Sequence, residues 1–190
     1  DEADVETVSS EELASRSGTT AAQVRKDLSL FGTFGKRGLG YDVDELESRL
    51  RGILGLNDRW PVVLVGAGRI GAALFGYETF RRQGFYIEAV FDKDPGKVGQ
   101  RWGELEVQPD EAMEGVVRDR DIEIAVLAVP GSAAQPVVDR LVEAGVRGIL
   151  NFAPKQLDVP EEVVVRSVDM ALEMEGLSYA LTHAGENVGS

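Results

Sequence analysis

The stretch "VVLVGAGRIG" at residues 62–71 constrains the fold of this chain more than any other part of its sequence. A short apolar run rich in β-branched residues is typical of a strand that is buried on both faces of a parallel sheet. This run leads into "GAGRIG" at residues 66–71, which has the G-x-G-x-x-G spacing of a dinucleotide-binding turn. The next apolar run ends at Asp92, about 20 residues further on, where such turns place an acid. The pattern predicts a Rossmann-like unit.

Each glycine of the motif has an expected role. Gly66 allows the tight turn, Gly68 lets the backbone approach a pyrophosphate, and Gly71 lets the helix pack closely on the strand. Asp92 is expected to accept hydrogen bonds from a ribose and to repel a 2′-phosphate, which favours NAD(H) over NADP(H), and Lys93 weakens this preference. The predicted cofactor-binding residues of this segment are Gly66, Ala67, Gly68, Arg69, Ile70, Gly71, Asp92 and Lys93.

Strands and helices alternate after residue 59, which predicts a doubly wound parallel sheet. Two later segments, "LAVPGS" at 127–132 and "NFAP" at 151–154, follow strands at their carboxyl ends, where ligands of open α/β sheets bind. Both segments are equally compatible with ordinary strand-to-helix loops. The residues predicted to meet the nicotinamide end of a dinucleotide are Val129, Pro130, Asn151, Phe152 and Ala153.

Composition excludes several classes of function. The chain has no cysteine and one histidine, His183, so thiol chemistry and a histidine metal cluster are both excluded. No apolar run approaches the ~20 residues of a membrane span, and a protein of the cytoplasm is expected. Binding of a nucleotide without turnover is favoured, because a hydride-transfer site needs a proton donor or acceptor that the sequence does not clearly offer.

The first part of the chain predicts a helix-turn-helix. "SSEELASRSG" has a capping box at Ser9 or Ser10 and a terminating glycine, and "TTAAQVRKDLSLFG" begins a second helix with Thr19 or Thr20 as its cap. Val24, Leu28 and Phe31 of this second helix have helical spacing. Arg25, Lys26 and Ser29 are predicted to lie off this stripe, free to face a groove.

Charge is distributed unevenly along the chain. The formal net charge is −13, yet residues 16–37 carry five bases against one acid. Such a basic face on an acidic body is typical of a DNA-binding module, although on charge alone a solvated helix followed by a loop is slightly favoured. "TFGKRGLGYDV" predicts a hairpin with Lys36 and Arg37 at its tip, and residues 42–56 predict an amphipathic helix. Helix-turn-helix plus hairpin indicates a winged helix that ends near "NDRWP" at 57–61.

The chain resembles the family of redox-sensing transcriptional repressors called Rex. The resemblance is carried by "QVRKDLS", "FGTFGKRGLGYDV", "ILGLN", "VGAGRIG", "FDKDPGKVG" and "GILNFAP", which occur in the order typical of that family. It implies a homodimeric repressor that binds palindromic operator DNA and is released by NADH. It also implies a recognition helix over 20–31 whose Gln23, Arg25, Lys26 and Ser29 face the major groove, with Lys36 and Arg37 entering the minor groove.

The resemblance also implies three domains: a winged helix over 1–58, a Rossmann domain over 59–168 and a C-terminal helix and tail over 169–190 that swaps onto the partner subunit. Tyr77 and Asp169 look like the pair that forms when NADH binds, although a half-buried helix aromatic and a helix cap would explain them locally. The sequence departs from the family at Met170, where an aromatic is expected. It departs also at "DEADVETV", where the winged helix is expected to lack its first helix.

Two other functions remain open at this stage. One is a small NAD-dependent oxidoreductase or CoA-binding Rossmann subunit in which the basic stretch is incidental. The other is a ligand-binding core that dimerises through its C-terminal helix and no longer reads DNA.

Overall fold

The computed structural model describes residues 7–35 and 40–183, which form two units. The first unit spans Asp1–Asp58 and the second spans Arg59–Ser190. The described part of the first unit contains three helices and a two-stranded sheet. They are β1 (Thr7–Val8), α1 (Ser10–Ser17), α2 (Ala21–Ser29), β2 (Tyr41–Asp42) and α3 (Val43–Ile53).

Local hydrogen bonds fix where α1 and α2 begin. Ser9 caps α1 by accepting from the Glu12 N–H at 3.1 Å, and the Glu12 carboxylate accepts from the Ser9 N–H at 2.8 Å. Gly18 ends α1 in the left-handed conformation, with φ of +66°. Thr20 then caps α2 by accepting from the Gln23 N–H at 3.2 Å. The predicted helix-turn-helix is therefore confirmed, with Ser9 and Thr20 as its caps.

Among the described residues of the first unit, the buried hydrophobic ones are Ala14, Val24, Tyr41 and Leu46. Phe31, which the sequence grouped with Val24, lies beyond the end of α2 and is 54% exposed. That part of the predicted apolar stripe is wrong, because α2 ends at Ser29 before another turn can carry Phe31 inward.

The predicted hairpin is only partly described. β2 pairs antiparallel with β1 and not with residues 33–35, which form no strand. A Cβ added at Gly35 would lie 2.5 Å from the Gly40 carbonyl oxygen, so the ends of this loop approach closely. Residues 36–39, and with them the predicted tip at Lys36 and Arg37, lie outside the described residues.

The second unit is built on a seven-stranded sheet in the order β5-β6-β4-β3-β7-β8-β9. All neighbouring strands are parallel except β5 and β6. The predicted parallel sheet is confirmed, with β5 and β6 as additional strands that the sequence analysis missed. The strands are β3 (Trp60–Val65), β4 (Phe85–Asp92), β5 (Arg101–Trp102), β6 (Leu105–Pro109), β7 (Ile124–Leu127), β8 (Gly148–Asn151) and β9 (Val164–Ser167).

The helices of this unit are α4 (Arg69–Phe75), α5 (Glu78–Arg82), α6 (Met113–Asp119), α7 (Gly131–Ala144) and α8 (Met170–His183). The pattern of "AALFGYETFRRQG" at residues 72–84 predicts one continuous helix, which is wrong, because the chain forms the separate helices α4 and α5 there. Gly76 ends α4, and Tyr77 interrupts the helix with an extended ψ of 90° before α5 begins. The central strands are almost fully buried, and Leu64, Val90 and Phe91 have no exposed surface. This rigid sheet holds the loops at its carboxyl edge in place.

Candidate functional site

The turn from β3 into α4 contains three glycines, and glycine suits each of the three positions for a different steric reason. Gly66 has φ of +107°, and a Cβ there would lie 2.3 Å from the Ala128 carbonyl oxygen. A Cβ on Gly71 would lie 2.0 Å from the Gly66 carbonyl oxygen, so only glycine lets α4 pack here. Gly68 is extended, and a Cβ on it would meet no protein atom within 4 Å. The open space in front of Gly68 is therefore available to a ligand.

A cavity of about 670 Å³ lies along this loop at the carboxyl edge of the sheet. Its size falls within the ~300–1,000 Å³ of small-molecule and cofactor sites. Gly66, Gly68, Arg69 and Ile70 line its middle. α4 begins at Arg69, and no side chain caps the N–H groups of its first turn. Free N–H groups at the start of a helix bind the oxygens of a phosphate.

Asp92, at the end of β4, ties the glycine loop to the neighbouring turn. Its carboxylate accepts from the Ala67 N–H at 2.7 Å, from the Asp94 N–H at 2.8 Å and from the Lys97 ammonium at 3.0 Å. Burial alone would raise the pKa of this carboxyl, but these three hydrogen bonds outweigh it and lower the pKa below its ordinary value. Asp92 is therefore ionised at neutral pH and lines the cavity as an anion that is already partly neutralised.

Lys97 is one residue of this wall that the sequence analysis missed. Lys97 lies five positions after Asp92 in the sequence. A turn at Asp94, closed by the Lys97 N–H donating to the Asp94 carbonyl oxygen at 2.9 Å, folds the chain back, so the Lys97 ammonium reaches the Asp92 carboxylate. Lys93 and Lys97 both line the cavity beside Asp92. The sequence "DKDPGK" at residues 92–97 could have predicted this contact, since a tight turn brings an acid and a lysine on either side of it within reach of each other.

The opposite end of the cavity is formed by the loops after β7 and β8 and is apolar. Val129, Pro130, Phe152 and Pro154 line it. Asn151 does not line it, since its side chain is fully buried and occupied by the loop itself. The Asn151 amide donates to the Lys155 carbonyl oxygen at 3.0 Å and to Ser167 Oγ at 3.2 Å, and its oxygen accepts from the Ala153 N–H.

Of the thirteen residues predicted to bind a cofactor, nine line this one cavity. The other four support it from behind: Ala67, Gly71, Asn151 and Ala153. Ala67 donates its N–H to Asp92, Gly71 packs on Gly66, and Ala153 is held by Asn151. We therefore assign these four residues a positioning role. The residues that the sequence analysis missed include Asp94, Lys97, Asp110, Ala133 and Val137.

The four predicted DNA-reading side chains that the structure describes lie on the exposed surface of α2. Gln23 donates to Asp27 at 2.7 Å, and the Ser29 hydroxyl donates to the Lys26 carbonyl oxygen at 2.6 Å. Arg25 reaches back to α1, where it donates to Ser10 Oγ at 2.8 Å and pairs with Glu11 at 3.3 Å. Within the described residues, Lys26 forms no ion pair, whereas Arg25 is already paired with Glu11.

The two predicted switch residues are not bonded to each other in the described part of the chain. Tyr77 is 53% exposed and packs edge-to-face on Phe80, with ring centroids 5.1 Å apart. The Asp169 carboxylate accepts from the N–H groups of Ala171 and Leu172 at 2.9 and 3.2 Å, so it caps α8.

In residues 7–35 and 40–183, no helix has the length and apolar character required to cross a membrane. The same described residues contain no cluster of three or more His, Cys, Asp or Glu side chains able to hold a metal ion.

Two family models match this chain. The model described as CoA binding domain matches residues 57–155, which contain the cavity. The model described as putative DNA-binding protein N-terminus matches residues 1–29, which contain α1 and α2.

Curated relatives match the chain over most of its length. The redox-sensing transcriptional repressor Rex of Carboxydothermus hydrogenoformans is 53% identical over 175 residues, which are 92% of this chain and 84% of the relative. The protein of the same name from Chloroflexus aggregans is 50% identical over 93% of this chain and 84% of its own. That from Streptomyces coelicolor is 48% identical over 94% of this chain and 69% of its own.

Solved structures give the same result. The crystal structure of RSP in complex with β-NAD⁺ and operator DNA superimposes with a TM-score of 0.91 and 36% identity, over 98% of this chain and 88% of that one. RSP in complex with β-NADH gives a TM-score of 0.85 and 36% identity, over 96% and 85%. RSP is described as a Rex-family repressor.

Proposed function

The chain belongs to the Rex family of redox-sensing transcriptional repressors, and we propose that it holds palindromic operator DNA until NADH binds its Rossmann unit. The observation that supports this most directly is that one chain combines α1 and α2 with the glycine-loop cavity. RSP, which matches both parts, has been crystallised with NAD⁺ and operator DNA together and with NADH.

DNA recognition is assigned to α2. Its outer face offers an amide, a hydroxyl and cations at Gln23, Arg25, Lys26 and Ser29, which suit base edges and phosphates. Lys36 and Arg37 belong to the same basic stretch and are proposed to contact the minor groove. The acidic remainder of the chain opposes non-specific association with DNA, because like charges repel.

The nucleotide fits the cavity with its pyrophosphate at the open space before Gly68 and its adenosine beside Asp92. The Asp92 carboxylate accepts a hydrogen bond from a ribose hydroxyl. Because Lys97 partly neutralises its charge, it repels a 2′-phosphate less than an unpaired carboxylate would. The nicotinamide half then lies toward Val129, Pro130 and Phe152. Oxidised nicotinamide carries a positive charge and the reduced ring does not, so apolar surroundings favour NADH, because burying an unpaired charge is unfavourable.

Dimerisation is assigned to α8. Its exposed apolar side chains include Leu172, Met174, Leu177 and Leu181, which are 59–79% exposed in the single chain. An apolar helix surface of this kind is typical of a protein interface rather than of a solvated surface. We propose that α8 of each copy swaps onto the partner subunit and buries these side chains there, and that Tyr77 and Asp169 pair once NADH is bound.

We also infer that the protein is a regulator and not an enzyme, acting in the cytoplasm where DNA and the NADH pool are available. The cavity wall at its nicotinamide end is made of Val129, Pro130, Phe152 and Pro154, none of which can donate or accept a proton through its side chain. A dehydrogenase needs such a group beside the reacting carbon.

The test is release of DNA by NADH. A palindromic duplex selected by the protein from a random library in the presence of NAD⁺ is labelled, and its anisotropy is followed as NADH or NAD⁺ is added at fixed salt. Release by NADH at concentrations where NAD⁺ has little effect is the expected result, because only a ligand with unequal affinity for two states shifts their populations. Equal responses to both nucleotides would contradict the proposal.

A second assay distinguishes the regulator from an oxidoreductase. The protein is incubated with NADH and a panel of carbonyl compounds, and absorbance of the reduced nicotinamide is followed over time. We expect no consumption beyond that of a protein-free control. Sustained turnover would overturn the assignment even if DNA also binds.

A further inference from the structure

An acid that no sequence pattern pointed to lies at the adenosine end of the cavity. Asp110 is the first residue of the 3₁₀ turn Asp110–Ala112, directly after β6. β6 pairs with β4 so that Pro109 lies opposite Asp92. Asp110 therefore lies on the strand next to β4, one residue beyond the level of Asp92 at the carboxyl edge of the sheet. Both acids line the cavity.

Asp110 is held in one orientation by Arg140 of α7. The Arg140 guanidinium donates to Asp110 Oδ2 at 3.1 Å and to the Asp110 carbonyl oxygen at 2.6 Å. The same guanidinium donates to both carboxylate oxygens of Glu114, which anchors it from the other side. A carboxylate fixed through one oxygen presents its second oxygen in a defined direction, and Asp110 Oδ1 has no hydrogen-bond donor among the described residues.

The wall next to this acid is apolar and comes from the same face of α7. Ala133, Val137 and Arg140 are spaced by four and three residues, so they lie along one side of that helix. Ala133 and Val137 line the cavity, and Arg140 holds Asp110 at its edge. An apolar wall packs against a flat ring, and a fixed acceptor beside that wall suits an aromatic base that carries an exocyclic amino group.

We propose that Asp110, positioned by Arg140, accepts a hydrogen bond from the 6-amino group of the adenine of NAD(H) and so selects adenine over a 6-oxo purine. This inference rests on the proposed function, since it assumes that a dinucleotide occupies the cavity. It makes Asp110 a specificity-determining residue and Arg140 a positioning residue. A purely structural role for this cluster, joining α7 to the turn after β6, would hold the fold together without any preference for the base.

The experiment compares NADH with reduced nicotinamide hypoxanthine dinucleotide, in which an oxygen replaces the 6-amino group. Affinities of both are measured by nicotinamide fluorescence for the wild type, for Asp110→Asn and for the control Glu111→Gln. Glu111 follows in the same turn but does not line the cavity. Asparagine can still accept from Arg140 through its oxygen while its NH₂ group donates to a 6-oxo group.

We expect the wild type and the Glu111→Gln control to prefer NADH by about tenfold or more, the usual consequence of mispairing a polar group. The Asp110→Asn change should shift the ratio of the two affinities at least tenfold toward the hypoxanthine dinucleotide. Equal binding of both by the wild type, or a ratio unchanged by Asp110→Asn, would overturn the inference. Failure of the wild type to bind either dinucleotide would instead overturn the proposed function.

Discussion

The change Gly68→Ala should separate nucleotide binding from folding. Gly68 has φ of −89° and ψ of −166°, which any residue adopts, and an added Cβ meets no protein atom within 4 Å. Alanine is a poorer N-cap than glycine by up to about 1 kcal/mol, and its smaller unfolded-state entropy offsets about 0.4–1 kcal/mol of this. The free energy of unfolding should therefore change by less than about 1 kcal/mol.

The same methyl group occupies the space through which a pyrophosphate approaches the loop. A ligand kept away from the backbone N–H groups loses charge-assisted hydrogen bonds that contribute about 1.5–3 kcal/mol each. Loss of two such bonds lowers the NADH affinity about 100-fold or more. The variant should bind operator DNA and fail to release it at NADH concentrations that release the wild type.

Gly71→Ala is the matched comparison, since it adds one methyl group three residues away. Here the Cβ lies 2.0 Å from the Gly66 carbonyl oxygen and 3.2 Å from its carbon, and both atoms are backbone that cannot move aside. Overpacking of this kind costs about 3 kcal/mol or more. Such a loss lowers the melting temperature of a chain of this size by about 6–12 °C.

Three measurements on both variants test this reasoning: thermal unfolding, nicotinamide fluorescence on NADH binding, and anisotropy of a labelled operator duplex. We expect Gly68→Ala to lose NADH binding at nearly full stability and Gly71→Ala to lose stability. Normal NADH binding by Gly68→Ala would refute the assignment of this loop to the pyrophosphate. A melting temperature of Gly68→Ala as low as that of Gly71→Ala would refute the steric reasoning.

Three further predictions follow from the contacts described. Because Arg140 lowers the pKa of the Glu114 carboxyl, the pair stabilises the fold above the ordinary pKa of glutamate, and this contribution is lost as the pH falls through the lowered pKa. Glu114→Gln should therefore reduce the free energy of unfolding by about 1 kcal/mol at pH 7, and by less at a pH below the lowered pKa of Glu114, in urea titrations. An equal loss under both conditions would contradict it. Thr20→Ala removes the cap of α2 and should lower the free energy of unfolding of the first unit by about 1 kcal/mol, measured by the same titration. Thr19→Ala is the control, because it makes the same substitution one position earlier and leaves the cap in place. Leu177→Glu puts a charge on α8 and should weaken dimerisation about tenfold or more in sedimentation experiments; an unchanged mass distribution would argue against α8 as the interface.

The parts of this structure that the sequence predicted are those with a local physical cause. Gly66 and Gly71 could be assigned because nearby backbone leaves no room for a Cβ at either position, and Gly68 because it stands at the fixed spacing between them. The cap of α1 could be assigned because Ser9 and Glu12 lie within four positions of each other. The strand at 62–65 was recognisable because its apolar run is uninterrupted.

The parts that could not be predicted depend on contacts between distant positions. Asp110 and Arg140 are 30 residues apart, and β6, which delivers Asp110 to the cavity, is a short strand without a clear apolar pattern. Asn151 was expected to face the ligand, yet its buried hydrogen bonds to the Lys155 carbonyl oxygen and to Ser167 depend on how two loops meet. The sequence did not predict that the helix is interrupted at Tyr77, because a glycine such as Gly76 within a helical pattern does not by itself end a helix.

The central claim is that nucleotide and operator oppose each other on the same protein, and calorimetry tests it most directly. NADH is titrated into the protein alone and into the protein saturated with the selected operator duplex, and NAD⁺ is titrated in the same way. Linkage requires that operator DNA weakens NADH binding by the same factor by which NADH weakens operator binding. We predict matching factors of at least tenfold for NADH and a much smaller factor for NAD⁺. An NADH affinity that is the same with and without operator DNA would contradict the account.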